Sequence, residues 1–200
     1  DLLAPEAGVG EKVAEITAQA MNGELDFAAS LQARVALLKG LETSIFPKII
    51  EQMDVTPGAK TLITELHQRG YKVGLVSGGF HEVIDPIARS LGIDLVRANR
   101  LQTFDGRLTG KVLGEIVTPE RKKDNLLTWA RENHIPRSQT IAMGDGANDL
   151  PMIETAGIGI AFMAKPIVAE RAPYRIETSD LSLVLEILDQ HRKETACISY

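Results

Sequence analysis

From Thr56 onward the chain alternates short apolar runs with amphipathic helical stretches, and that rhythm leaves few architectures open. Thr56 and Pro57 open a helix, PGAKTLITELHQRG, that Gly70 ends, with proline at the first position, where its missing N–H is harmless. YKVGLVS then reads as a buried strand, HEVIDPIARSL as a helix and IDLVRAN as a further extended run. LQTFDGRLTGKVLGEIV alternates around Asp105 and Gly106, the strongest hairpin signal in the chain. Helix ERKKDNLLTWARENH, strand TIAMG, helix NDLPMIETA and strand GIGIAF follow, then a short extended piece near Tyr174 to Ile176 and helix LSLVLEILDQH. Strands separated by helices predict a parallel sheet covered on both faces. The expectation for residues 56–200 is therefore an α/β, Rossmann-like three-layer core.

Residues 1–55 differ in texture and read as a small helical domain. EKVAEITAQAM places Val13, Ile16, Ala20 and Met21 on one stripe, and DFAASLQARVALLKGL does the same with Phe27, Leu31, Val35 and Leu38. Asp26 suits an N-cap and Gly40 a stop, while Pro47 marks a third, shorter helix.

The composition, 44% hydrophobic and 24% charged, is that of a globular protein. A net charge of −5 without any basic run argues against nucleic acid as a partner. No apolar stretch is long enough for a bilayer, and no signal peptide opens the chain. The single cysteine, Cys197, precludes an intrachain disulfide and points to a reducing cytoplasm.

In such sheets chemistry gathers where strands end and helices begin, and three stretches lie at that kind of junction. In LVSGGFHEV, Ser77 ends the strand and Gly78–Gly79 lets the backbone turn, so a hydroxyl and exposed N–H groups can cradle a phosphate. The plainer alternative is a tight turn with Ser77 as N-cap. In GDGANDLPM, Asp145 leaves a strand end as a hard oxygen ligand suited to Mg²⁺, and Asp149 follows one helical turn later to support the metal site or fix the loop. Uncharged Asn148 can donate to a phosphate oxygen; the plainer alternative makes Asn148 or Asp149 a helix cap. In TPERKKDNLL, Lys122 or Lys123 can offset phosphate charge, although a solvated helix face is the usual fate of lysines. Lys122 and Asp145 are both expected at the surface of the sheet's active end.

Together the three stretches resemble, in order and in sequence, the haloacid-dehalogenase superfamily of phosphatases. LVSGGF, ANRLQTFDGRLTG, GDGANDLPM and AFMAKP carry the resemblance in the core, MNGELDFAASLQARVALLKGL carries it in the cap, and it runs almost from residue 1 to about residue 190. The resemblance implies Mg²⁺-dependent hydrolysis of O-phosphoserine through an aspartyl-phosphate, the last step of serine biosynthesis. It gives Asp145 to the metal and Asp149 to the support of that site. Ser77 and the Gly78 amide bind the phosphoryl group. Lys122 neutralises its charge, with Lys123 in reserve because the KK pair leaves the register ambiguous, and Asn148 orients the phosphate. In the cap, Arg34 pairs with the substrate carboxylate, for which a guanidinium fork is well shaped, and Met21 and Phe27 line the apolar side. The expected partner is a small molecule, with neither nucleic acid nor membrane; a homodimer stays open.

The superfamily's first motif, Asp-x-Asp-x-Thr at the end of an apolar strand, has no counterpart in these 200 residues. Asp54, Asp85, Asp94 and Asp124 stand in the wrong settings to replace it. The strand that bears the motif is central in this fold, so its loss is expected to open a groove in the sheet. Residues upstream of Asp1 are the first explanation, a shortened chain the second and a non-hydrolytic phosphate-binding relative the third. A phosphatase or phosphotransferase for another small phosphomonoester is the neighbouring alternative.

Overall fold

The computed structural model describes residues 2–21 and 25–197, with the backbone alone for Met21 and residues 194–197. The helices are α1 (Leu3–Glu6), α2 (Gly10–Met21), α3 (Phe27–Ala36), α4 (Phe46–Glu51), α5 (Ala59–Gln68), α6 (His81–Leu91), α7 (Pro119–Glu132), α8 (Leu150–Thr155), α9 (Pro166–Arg171) and α10 (Val184–Cys197). The strands are β1 (Gly74–Phe80), β2 (Leu95–Phe104), β3 (Arg107–Leu113), β4 (Ile141–Gly144), β5 (Ile158–Phe162) and β6 (Tyr174–Ile176). They divide between two three-stranded sheets, ordered β1-β2-β3 and β4-β5-β6, rather than forming one continuous sheet. The second sheet is parallel throughout, and β2–β3 is the antiparallel hairpin expected around Asp105 and Gly106. Both turn residues take positive φ, 48° and 70°, as a tight hairpin requires.

The chain forms two compact units. The first comprises Asp1–Met53, Leu75–Ser90 and Val96–Thr118. Its core joins Leu31, Val35 and Leu38 of the helical segment to Ile84, Ala98, Leu101 and Leu108. Asp26 caps α3 as expected, accepting the Ala29 N–H at 2.6 Å. The helix ends at Ala36, short of Gly40, which continues the turn at φ 89°.

The second unit comprises Asp54–Gly74, Leu91–Leu95 and Pro119–Tyr200. β5 is its central strand and, as GIGIAF suggests, it is nearly all buried, with Ile160 and Ala161 among its most enclosed residues. α5 starts at Ala59, so Pro57 lies before the helix rather than at its first position. Gly58 intervenes at φ 77°, and a Cβ there would collide with Asp180 Oδ1. The Pro57 carbonyl instead accepts the Leu181 N–H at 2.8 Å. At Gly74 the indole of Trp129 from α7 lies so close that a Cβ would come 2.7 Å from Cζ3.

Asp94, just before β2, accepts the Val73 N–H at 2.8 Å and lies 2.9 Å from His67 Nε2. Desolvation pushes its carboxyl upward, but those two partners together prevail and hold it below the usual carboxylate range. A depressed folded-state value means stabilisation that is complete above the unfolded pKa of about 3.9 and is lost as pH falls through the folded one. Asp94→Asn is therefore expected to flatten the acid limb of a Tm–pH curve below roughly pH 4. An acid limb identical to that of the unsubstituted protein would remove Asp94 from the account.

Candidate active site

In the first unit β1 does not stop at Ser77. It continues through Gly78 and Gly79 to Phe80 before α6 begins, and it is only half-buried because it lies at the edge of its sheet. Neither glycine has a positive φ, so a turn is not what they provide. They provide room: a Cβ on Gly78 would sit 3.2 Å from Phe27 Cζ, and one on Gly79 would sit 3.1 Å from Ile84 Cδ1. Phe27 of α3 thus packs directly over Gly78.

The end of β1 is tied down by hydrogen bonds. Ser77 Oγ accepts the Gly79 N–H at 3.0 Å. Asn99 Nδ2 donates to the Gly78 carbonyl at 2.9 Å, and Asn99 Oδ1 accepts the Val117 N–H at 2.9 Å. The first turn of α6 reaches β2 as well: His81 Nε2 accepts the Ala98 N–H at 3.2 Å, and the Glu82 carboxylate accepts that of Leu101 at 3.3 Å. Because Nε2 accepts, the His81 proton resides on Nδ1 and is donated to Asp85 Oδ1 at 2.7 Å. Asn99 is not among the expected site residues: in the mixed extended run LVRANRL it stands between two arginines and reads like another solvated polar residue.

Arg34 lies half-buried on α3, and its Nε donates to the Ser30 carbonyl at 3.3 Å. Burial draws its guanidinium below the ordinary value, although an arginine stays charged at any working pH. The side chain of Met21 lies outside the described residues.

In the second unit Lys122 is not on a solvated face. It is buried on α7, and its Nζ donates to Asp149 Oδ1 at 2.7 Å. Lys123 next to it is only half-buried. Asp149 Oδ2 turns to the loop and accepts the N–H groups of Asp145 at 3.2 Å and Gly146 at 3.3 Å. One buried carboxylate thus joins the lysine to the backbone that presents Asp145. Gly144 is required by this closure, since a Cβ there would overlap the Asp149 carboxylate. The Lys165 N–H, donating to the Asp145 carbonyl at 3.0 Å, holds the loop from its other end.

Neither Asn148 nor Asp149 caps α8 itself through its side chain, but the Asp149 carboxylate closes the start of the short 3-10 turn Ala147–Asp149 that leads into α8, by accepting the Gly146 N–H. Asn148 folds back over Gly146. The Asp145 carboxylate is exposed beside a cavity of about 310 Å³ whose walls include Met143, Gly144, Phe162 and Met163. Among the described residues no group of three or more His, Cys, Asp or Glu is placed to hold a metal. A lone exposed carboxylate nevertheless suits Mg²⁺, which keeps several waters and takes one or two protein carboxylates.

Known proteins match this chain closely. The profile of the haloacid dehalogenase-like hydrolases matches residues 4–154, more than half of the chain. The chain belongs to that family. Within it, the phosphoserine phosphatase of Streptococcus thermophilus is 63% identical over 190 residues, covering 95% of this chain and 88% of that protein. Two solved structures each give a TM-score of 0.85 at 45% identity, covering 92% of this chain and 88% of theirs. One is a substrate-bound phosphoserine phosphatase complex and the other a phospho-aspartyl intermediate analogue of phosphoserine phosphatase. The family's α/β fold agrees with the strand–helix alternation from Thr56 onward.

Proposed function

We propose that this chain is a phosphoserine phosphatase, hydrolysing O-phosphoserine to serine and phosphate by way of an aspartyl-phosphate. The carrying observation is the buried Lys122–Asp149 pair, whose second carboxylate oxygen fixes the Asp145 loop. An ammonium and an exposed carboxylate linked through one buried carboxylate suit a dianionic phosphoryl group and its counterion. Identity of 63% to a phosphoserine phosphatase supports the choice of substrate.

Asp145 would hold the Mg²⁺, which when bound offsets the repulsion between a phosphoryl dianion and an attacking carboxylate. The remaining roles fall to the chain's own groups. Ser77 accepts from Gly79 N–H, so its hydroxyl proton is available to a phosphoryl oxygen, with the Gly78 N–H beside it. Lys122 contributes fixed positive charge, and Asn148 contributes amide donors. Residues 1–55 serve as the cap, in which Arg34 receives the substrate carboxylate and Met21 and Phe27 flank its apolar side. The attacking carboxylate belongs to the family's first motif, which these 200 residues do not contain.

Phosphate release from O-phosphoserine by the full-length protein, with Mg²⁺ and with a chelator, is the direct test. Release with Mg²⁺ that stops on chelation is expected, and no release above blank would refute the reading. Arg34→Ala is expected to raise KM for phosphoserine by about 10- to 100-fold, the worth of a charge-assisted bidentate pair. KM for phosphoethanolamine, which lacks the carboxylate, should stay within about twofold, since no such pair is lost. Equal effects on both esters would take Arg34 out of the pocket.

A further inference from the structure

Asn99 is buried to 1% exposure in the middle of β2, where an unmatched carboxamide would cost about 1–3 kcal/mol. It is matched on both sides, to the Gly78 carbonyl and the Val117 N–H, each at 2.9 Å. The Gly78 carbonyl and the Gly79 N–H belong to one peptide plane. Asn99 holds the first of these and Ser77 Oγ accepts from the second, so the plane is pinned at both ends. A peptide held this way cannot rotate about its flanking bonds without breaking a partly buried hydrogen bond. With a lone pair of Ser77 Oγ taken by Gly79, the hydroxyl has only its proton and remaining lone pair to offer a ligand.

From this geometry we infer that Asn99 is a positioning residue of the phosphoryl site. It acts through the Gly78–Gly79 peptide, whose N–H occupies one lone pair of Ser77 Oγ, to set the direction of the Ser77 O–H. It touches no reacting atom itself. The inference rests on the reading that Ser77 and Gly78 receive a phosphoryl group. Its distinguishing consequence is that Asn99 and Ser77 behave as one device. Asn99→Asp keeps the acceptor for Val117 and replaces the donor by a carboxylate oxygen facing the Gly78 carbonyl, which drives the peptide to turn away.

The experiment is a double-mutant cycle on the full-length protein, read as the dissociation constant of inorganic phosphate, with Tm measured on every variant. Asn99→Asp and Ser77→Ala are each expected to weaken phosphate binding by about tenfold, the scale of one buried charge-assisted hydrogen bond. The double variant should be no weaker than the worse single one, because the second change removes a group already misdirected. Asn99→Ala serves as the second variant should Asn99→Asp not fold, and the same non-additivity is expected. Losses that multiply, or a lowered Tm with unchanged phosphate binding, would reduce Asn99 to a structural residue and overturn the inference. A failure of the unsubstituted protein to bind phosphate would instead bring down the phosphoryl-site reading, and the inference with it. A folded Asn99 variant with normal binding defeats the inference alone.

Discussion

Lys122→Ala is expected to lower both stability and turnover, and the stability loss is the less obvious of the two. A lysine in TPERKKDNLL reads as a surface charge whose removal would spare the fold. In the structure Lys122 is 6% exposed, and so is the carboxylate residue it serves. Removing the ammonium leaves Asp149 charged, buried and balanced only by two N–H groups, a situation that costs about 3–5 kcal/mol. In a domain of this size that corresponds to a Tm roughly 6–20 °C lower. Lys122→Met combined with Asp149→Asn removes both charges while leaving an oxygen for the Asp145 and Gly146 N–H groups. The double variant should regain most of the lost Tm and remain inactive. Calorimetry beside a phosphate-release assay separates the two effects, and a Lys122→Ala protein with unaltered Tm would contradict the burial of the pair.

Asp145→Asn should give the opposite profile. Its carboxylate is exposed and accepts no hydrogen bond among the described residues; only its backbone N–H and carbonyl are engaged. Surface changes of this kind stay within about 0.5 kcal/mol, so Tm should move by no more than roughly 2 °C. Turnover should fall by on the order of 10³-fold, since the metal's several kcal/mol of charge stabilisation is what the site loses. Weakened Mg²⁺ binding by titration calorimetry gives a readout independent of turnover. Unchanged Mg²⁺ affinity would move the metal elsewhere.

The two profiles show what is legible in a sequence of this kind. The alternation from Thr56 onward is legible because buried central strands such as GIGIAF must be apolar throughout and their covering helices must be amphipathic. The hairpin at Asp105–Gly106 is legible because few residues accept its backbone angles. From the sequence Ser77 reads as a strand end, because paired glycines usually signal a turn, yet β1 runs on to Phe80. At Gly78 they answer instead to a phenylalanine arriving from α3, a contact that no local pattern encodes. The fates of Lys122 and Asn99 were illegible for the same reason. Each is decided by a partner 18 to 27 residues away in the chain, and only the folded chain supplies it. The division of strands between two sheets likewise depends on which strands pair, which periodicity does not state.

Trp129 is the only tryptophan in the chain, and its ring lies against Gly74, at the root of the strand that ends in the cradle. It rides on the same helix as Lys122. The protein therefore carries its own optical probe. Emission from this one indole monitors how the lysine helix packs on Gly74, without any label to disturb the fold.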